Sequence, residues 1–505
     1  MTFHRDLAGT PDGLEQLREM ADRALVMLAE TAQERGGPVR PGGPQEAITA
    51  AQAILDGRIL PEDGIKLEEW LSTVLEGYAR WAVDLTHPAA VSRMQCAPTV
   101  AAATAELVTS VVNQSLHAWE SGPFALELER RLVAELADFV GYGPGASGTL
   151  TPGGSVSNFM ALLLAREQAD LGIDGRASVA GLSGAPRLPR ILSSRAAHFS
   201  VARGAGFAGL GRESVIAVPV ADDGRMDVLA AAGLLDAMGE HEVPLALVAT
   251  AGTTDFAVFD PIPELADLAE ERGVWLHIDA AYGFGALFSR RLRPLLEGLE
   301  RADSITFDAH KLGWTPASAS FLLVRDGQHL GPLVERSAYL TPADDEEAGF
   351  SSLLGTSLQT TRRVDGLKIA ATFGVLGRRG MEEWVDHCHN LAHQAAGRIA
   401  ADDRFELAAD PILTTVVFRW TATEGIGLDD FNAELRRRLM SEGTALVART
   451  TVERPGEEPA VHLKLIFLNP ATTEQDVDEL LTIITAAAEN LAVSRGENRA
   501  VGAGM

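Results

Sequence analysis

From Arg190 to Val324 the sequence alternates short β-rich apolar runs with helical stretches. The runs are Arg190–Ser193, Val215–Pro219, Leu245–Thr250, Trp275–Ile278, Ser304–Phe307 and Ser320–Val324. Nothing else in the chain constrains its fold as strongly. Strands separated by helices do not pair as hairpins; they form a mainly parallel sheet whose faces the helices cover. Ligands of such a sheet bind beyond the carboxyl ends of its strands. The residues just past each run are therefore the first place to look for chemistry.

The flanking regions read differently. Residues 14–34 have helical periodicity, which GGPVRPGGP at Gly36–Pro44 breaks. Helical patterns resume from Gln45 through Trp81, and residues 98–119 read as a long apolar helix. Gly122-Pro123 punctuates before another amphipathic helix, and Gly148–Pro152 leads into a helix at 155–168. Residues 171–189 read as a loop. A long helix is expected over 365–400, strands at Thr414–Arg419 and His462–Phe467, a closing helix at Glu474–Leu491 and a frayed tail at 494–505.

Composition removes several function classes. With 505 residues the chain is long enough for two to four domains or subdomains. A net charge of −27 argues against nucleic acid and against anionic membranes, which both need a basic surface. No apolar run reaches the roughly 18 to 20 residues of a membrane span. The start has no basic-then-apolar secretory pattern. Two cysteines, Cys96 and Cys388, exclude a disulfide framework and fit a reducing cytoplasm.

The chemistry concentrates in WLHIDAAYGFG (Trp275–Gly285) and SITFDAHKLGW (Ser304–Trp314). Asp279 ends one apolar run, and Lys311 falls just past another, 32 residues later. Both side chains are expected in one crevice at the carboxyl edge of the sheet. A pyridine-ring cofactor needs this pair. A carboxylate keeps the ring nitrogen protonated, and a lysine amine forms a Schiff base with the aldehyde. Taken singly, Asp279 reads as a cap and Lys311 as a solvated surface residue; together, and after His310, they carry the functional reading. His198, past the run at 190–193, has a flat ring able to stack on a cofactor. TPGGSVSN (Thr151–Asn158) opens a helix, and its glycines let backbone N–H groups approach a phosphate. Two patterns are decoys. Gly204-Ala-Gly206-Phe-Ala-Gly209 matches GxGxxG but follows a helical stretch instead of a strand. His387-Cys388-His389 on a helix points its imidazoles to different faces, which does not make a metal site.

HIDAAYG, DAHK, TPGGSVSN and ATAGTTDFAVFDP together resemble the group II pyridoxal-phosphate decarboxylases, over about His87 to Leu481. NQSLHAWESGPFALELE, AYLTP, SLQTTRRVDGLK and LKLIFLNPATT are similar to the L-2,4-diaminobutyrate decarboxylase branch. The resemblance implies an α/β fold of the aspartate-aminotransferase-like type (fold type I) and an intertwined homodimer with shared active sites. It places an N-terminal helical dimerisation segment at 1–120, a large cofactor-binding domain at 121–375, a smaller α+β domain at 376–493 and a flexible tail at 494–505.

The residue roles implied by this resemblance are specific. Lys311 matches the lysine that carries pyridoxal 5'-phosphate. Asp279 matches the partner of the ring nitrogen, Ala281 underlies the ring and His198 stacks on it. Gly154, Ser155 and His310 match phosphate-side positions, Thr253 approaches the cofactor in its GTT motif, and Ser357 comes from the neighbouring subunit. Tyr339, in SAYLTP, matches the mobile-loop tyrosine that returns a proton after carbon dioxide leaves. Relatives with phenylalanine there tend toward aldehyde formation, so tyrosine favours simple decarboxylation. Lys464 replaces an arginine that several members use for the substrate carboxylate, and lysine lacks the bidentate fork. Glu120 is the candidate partner for a distal substrate ammonium. Phe284 stands where a small residue is common and is expected to thicken the pocket wall; Asp308 takes a place that is often asparagine. Residues 93–96, Arg-Met-Gln-Cys, stand where the diaminobutyrate branch has a histidine-rich stretch. These departures keep two readings open: decarboxylation of a small L-amino acid, or a lyase or oxidative deamination reaction on the same cofactor.

Overall fold

The computed structural model describes residues 7–334, 340, 342–423, 427–454 and 457–502. The chain forms two compact units, Met1–Gln95 with His387–Met505, and Cys96–Asp386.

The second unit is built on a seven-stranded sheet. Its order across the sheet is Ser147–Thr151, Ser320–Val324, Ser304–Asp308, Trp275–Asp279, Glu242–Thr250, Leu188–Ser194 and Val215–Val218. Ser320–Val324 runs antiparallel to both of its neighbours, and the remaining pairs are parallel. The six expected runs are all strands, and the mainly parallel α/β sheet is the expected fold class. The inner strands are buried along most of their length, and Glu242–Thr250 carries the unbroken apolar run Leu245–Ala249. Ser147–Thr151 was expected only as a lead-in to a helix; it is a strand, aligned on Ser320–Val324 with Leu150 opposite Phe321. Helix Gly154–Gln168 follows it and buries Met160, Ala161, Leu164 and Ala165 against Ile191, Val248 and Leu322 of the sheet. Residues 171–189 hold a short helix, Ala177–Ala180, and the first two residues of strand Leu188–Ser194.

The first unit carries a five-stranded sheet in the order Ala90–Val91, Leu446–Val452, Ala460–Ile466, Thr415–Trp420, Phe405–Leu407. N-terminal helices Pro11–Arg35 and Pro44–Leu55 belong to this unit, as does the closing helix Glu474–Gly502, whose backbone runs on past Leu491. Phe418, Phe431, Leu463 and Ile484 lie at the centre of its core. Helix Gly366–Ala400 is broken at Gly377, where φ is 61° and ψ 176°. Among the described residues no helix is long and apolar enough to cross a membrane.

Candidate active site

The carboxyl ends of neighbouring parallel strands deliver the expected acidic and basic groups to one place. Asp279 is the last residue of its strand and stands level with Thr250 and Thr306 on the strands either side. It is buried, and its oxygens are already held: Oδ1 accepts from the Ala281 N–H at 3.1 Å and Oδ2 from the Asn158 amide at 2.7 Å.

Lys311 sits on the tight turn between strands Ser304–Asp308 and Ser320–Val324. Its N–H bonds the Asp308 carbonyl at 3.1 Å and the Thr315 N–H bonds that of Ala309 at 3.2 Å. The turn is compact enough that a Cβ on Gly313 would meet the Ala309 carbonyl oxygen at 2.5 Å, so only glycine fits there. Trp314 then takes φ 45°, a left-handed conformation that costs a bulky residue about 1–3 kcal/mol. Its indole is fully buried edge-on to Trp384, at 5.1 Å, and that packing holds the conformation. The Lys311 ammonium ends 3.1 Å from Asp308 Oδ2, and His310 Nε2 lies 3.5 Å from the same oxygen. Asp308 Oδ1 is buried without a hydrogen-bond partner.

His198 lies between strand Leu188–Ser194 and helix Ser200–Phe207, half-buried, with Nδ1 2.8 Å from Ser200 Oγ. Burial holds its imidazole below the ordinary value; Asp279 opposes this, Lys311 adds to it and Asp308 opposes it. Contacts link the four residues: Lys311 pairs with Asp308, whose N–H bonds the Ala281 carbonyl at 3.2 Å, the Ala281 N–H bonds Asp279, and Asn158 and Ser200 join Asp279 to His198. Gly204 and Gly206 are inside helix Ser200–Phe207, so the GxGxxG pattern does not bridge a strand and a helix.

Helix Gly154–Gln168 points its start at this cluster. A Cβ on Gly154 would lie 3.1 Å from both Asp308 oxygens and 3.2 Å from the Ala281 methyl. Ser155 is exposed on the first turn. His310 Nδ1 bonds the Ala319 carbonyl at 2.8 Å, which fixes its ring. Thr253 is buried and its hydroxyl accepts from the Val258 N–H at 3.0 Å, closing the turn after strand Glu242–Thr250.

Other expected residues stand elsewhere. Ser357 follows the turn Leu354–Thr356, and its hydroxyl accepts from the Gln359 N–H at 3.1 Å. Glu120 is exposed on the turn Trp119–Ser121. Lys464 is buried in strand Ala460–Ile466 of the first unit, opposite Val417 and Ala448. Tyr339 lies outside the described residues. Phe284 does not thicken a pocket wall: it is buried with its ring stacked on Phe307 at 3.7 Å, and Phe307 stacks in turn on Phe321. Its bulk belongs to the core. His387 and His389 bond the carbonyls of Thr472 and Leu413, two separate backbone segments.

Three residues of the site were not singled out from sequence. Asn158 and Ser200 flank Asp279 and His198, and His277 lies behind them with Nε2 3.0 Å from Asn158 Oδ1. A signal for two of them was present. Asn158 is one helical turn after Gly154, and His277 is two strand positions before Asp279, so each shares a face with a recognised residue.

The residues fit pyridoxal phosphate on the structure's own terms. The hydroxyls of Thr250 and Thr306 beside Asp279, and Asp308 Oδ1, are buried polar atoms without a partner, while the helix start at Gly154 packs so closely on Asp308 and Ala281 that a side chain there would crowd both. An aspartate, a lysine and a glycine helix start at the carboxyl edge of a parallel sheet define the class: a pyridoxal-phosphate enzyme of the α/β type. Residues 68–421 match the pyridoxal-dependent decarboxylase conserved domain, and the chain belongs to that family of amino-acid decarboxylases. It is 39% identical over 434 residues to an L-2,4-diaminobutyrate decarboxylase of Rhizobium meliloti (strain 1021), covering 86% of this chain and 84% of that one. An L-2,4-diaminobutyrate decarboxylase of Acinetobacter baumannii is 32% identical over 442 residues, covering 85% and 86%. Among solved structures, the glutamate decarboxylase domain of the diaminobutyrate-pyruvate transaminase and L-2,4-diaminobutyrate decarboxylase from Vibrio parahaemolyticus superposes with a TM-score of 0.83 at 29% identity, covering 94% and 95%.

Proposed function

We propose that this decarboxylase acts on L-2,4-diaminobutyrate or a related small L-amino acid, as a homodimer, with Lys311 as the lysine that holds the cofactor. The substrate reading is supported by the two relatives of that name at 39% and 32% identity. The carrying observation for Lys311 is its ammonium 3.1 Å from Asp308, which contacts connect through Ala281 to Asp279 and on to His198.

Bound pyridoxal phosphate supplies the electron sink for cleavage of the Cα–carboxylate bond. The protein's part is positioning and charge. The Asp279 carboxylate, held by Asn158 and the Ala281 N–H, offers a negative charge to a protonated ring nitrogen. His198 would stack on the cofactor ring and Ala281 would underlie it. The N–H groups at Gly154 and Ser155, with His310, would hold the phosphate, and Thr253 would line the approach. In the proposed dimer Ser357 adds a contact from the second chain. Lys464 is assigned to the substrate carboxylate, Glu120 to its distal ammonium, and Tyr339 to return of a proton at Cα. The oxidative alternative was motivated in part by Phe284, which the core accounts for.

A panel of L-amino acids with product mass analysis tests the reading. Loss of carbon dioxide from L-2,4-diaminobutyrate leaves propane-1,3-diamine. That product, with a Lys311→Ala variant that no longer shows the absorbance of covalently held cofactor, is the expected result. Peroxide or ammonia formed in step with substrate loss would overturn it, as would full activity in Lys311→Ala. Elution of the holoenzyme as a monomer would refute the dimer.

A further inference from the structure

A chain of side chains runs behind the cluster from Trp275 to His198. The Trp275 indole N–H donates to Ser304 Oγ at 2.9 Å, and Ser304 Oγ lies 2.8 Å from His277 Nδ1. His277 Nε2 lies 3.0 Å from Asn158 Oδ1. The Asn158 amide donates to Asp279 Oδ2 at 2.7 Å and to Ser200 Oγ at 2.9 Å. Ser200 Oγ then lies 2.8 Å from His198 Nδ1. Every member but His198 is buried.

The two ends of this chain force one direction on it. An ionised carboxylate only accepts, so Asn158 must turn its NH2 toward Asp279 and its oxygen toward His277. That oxygen needs a proton from His277 Nε2. Burial pushes the His277 imidazole down to about 4, so near neutral pH its ring carries one proton only. With that proton on Nε2, Nδ1 accepts from the Ser304 hydroxyl. An indole N–H only donates, so Ser304 Oγ accepts from Trp275 and keeps its own proton for His277. The requirement from Trp275 and the requirement from Asp279 agree. At the branch, the second Asn158 N–H occupies Ser200 Oγ, and the Ser200 hydroxyl donates to His198 Nδ1. The Ser200 backbone N–H adds a contact to the same nitrogen at 3.3 Å. Neutral His198 therefore carries its proton on Nε2.

We propose that Asn158 and His277 are positioning residues of the decarboxylation site, forming a one-way hydrogen-bond relay that aims the Asp279 carboxylate and places the His198 proton on Nε2. The proposal rests on the assignment of Asp279 and His198 to the cofactor ring. Neither positioning residue needs to touch substrate. His277 keeps Asn158 in one amide orientation, and Asn158, through Ser200, keeps His198 in one imidazole tautomer, where two of each are otherwise available.

The test uses the holoenzyme and three relay variants, His277→Phe, His277→Gln and Asn158→Leu, with Asp279→Ala as the reference. Phenylalanine keeps the ring shape without a donor, and glutamine restores an N–H toward Asn158. His277→Phe and Asn158→Leu are expected to lose about 10- to 100-fold in kcat with little change in KM, because a hydrogen bond to a charged group is weakened or lost. His277→Gln is expected to recover most of that loss. Wild-type holoenzyme labelled with nitrogen-15 in its histidines gives a reading that depends on no variant folding: His277 and His198 both protonated at Nε2, with Nδ1 bare. A His277 protonated at Nδ1 overturns the relay. Wild-type kcat in His277→Phe beside a collapsed Asp279→Ala also overturns the relay while sparing the ring assignment. Wild-type kcat in Asp279→Ala overturns the ring assignment, and the relay with it.

Discussion

His277→Gln should change how stability depends on pH by an amount the structure supplies. His277 is buried in strand Trp275–Asp279, and burial lowers it from the ordinary 6.5 to about 4, with Asp279 opposing the fall. In the unfolded chain the same imidazole titrates near its ordinary value. Between these two values the unfolded state binds a proton that the folded state refuses, so stability rises with pH across that window. The contribution is fully present above about pH 6.5 and is lost as pH falls toward about 4. At about 1.4 kcal/mol per pH unit the whole effect is about 3 kcal/mol. Glutamine does not titrate, so the stability of wild type over His277→Gln should shrink by that amount between about pH 7 and pH 4. Whole-chain unfolding of two compact units is not a two-state process. Urea titrations read by deuterium uptake in peptides from Trp275–Asp279 follow the unit that holds the histidine. Only the difference between the proteins is interpreted, since other groups titrate in both. A difference that stays flat across the window would mean that His277 titrates alike in both states, and the burial argument would fail.

Asp260 should show the opposite slope: burial lifts it from 3.8 to about 6 while it accepts the Met226 and Thr250 N–H groups at 2.7 and 2.8 Å. Its contribution is present below the unfolded value and lost as pH rises through the folded one, so Asp260→Asn should gain about 3 kcal/mol on wild type from about pH 4 to pH 7; a falling difference in the same titration refutes this. Glu129 and Arg362 form a buried ion pair at 2.7 Å, and Glu129→Gln leaves the guanidinium uncompensated. The expected cost is about 3–5 kcal/mol, seen as a lower Tm by calorimetry, and a cost under about 1 kcal/mol would show the pair to be dispensable. Gly154→Val drives a side chain against Asp308 and Ala281 and displaces the helix start, and equilibrium dialysis should find pyridoxal phosphate bound about tenfold more weakly or worse. Unchanged affinity would place the cofactor away from this helix start. Cys96 and Cys388 are buried, and burial pushes the Cys96 thiol up to about 12, so a disulfide-exchange reagent should label neither cysteine until urea is added. Rapid labelling of Cys96 in the native protein would contradict its placement.

The sheet was legible where burial is two-sided. Strand Glu242–Thr250 buries every residue from Leu245 on, and an apolar run such as Leu245–Ala249 between turn signals has few other readings. Ser147–Thr151 escaped because Ser-Gly-Thr-Leu-Thr holds one large apolar side chain; its strand character comes from pairing with Ser320–Val324, far away in the sequence. Phe405–Leu407 and Ala90–Val91 are too short to show any period, and they exist as sheet edges because longer strands beside them offer free backbone groups. Phe284 was misjudged for a related reason. Its position after DAAYG says where the backbone goes, whereas its stacking on Phe307 depends on a strand read separately.

The site divides along the same line. Asp279 and Lys311 were legible because each combines a charge with the end of an apolar run, and strand ends are where a parallel sheet exposes what it carries. His277 and Asn158 lie one step further in, within buried stretches of a strand and a helix. There a polar residue reads as an interruption of the core, and its partner is on another element: 119 residues separate Asn158 from His277 and 121 separate it from Asp279. Yet a buried polar side chain without partners is costly, about 1–3 kcal/mol each, so His277 and Asn158, on faces shared with Asp279 and Gly154, imply a network before any coordinate is known. The face-sharing rule, two positions along a strand and four along a helix, turns that implication into names. Applied to Asp279 it selects His277, and applied to Gly154 it selects Asn158. What it cannot select is the direction of the hydrogen bonds, which depends on Trp275 at one end being able only to donate and Asp279 at the other able only to accept.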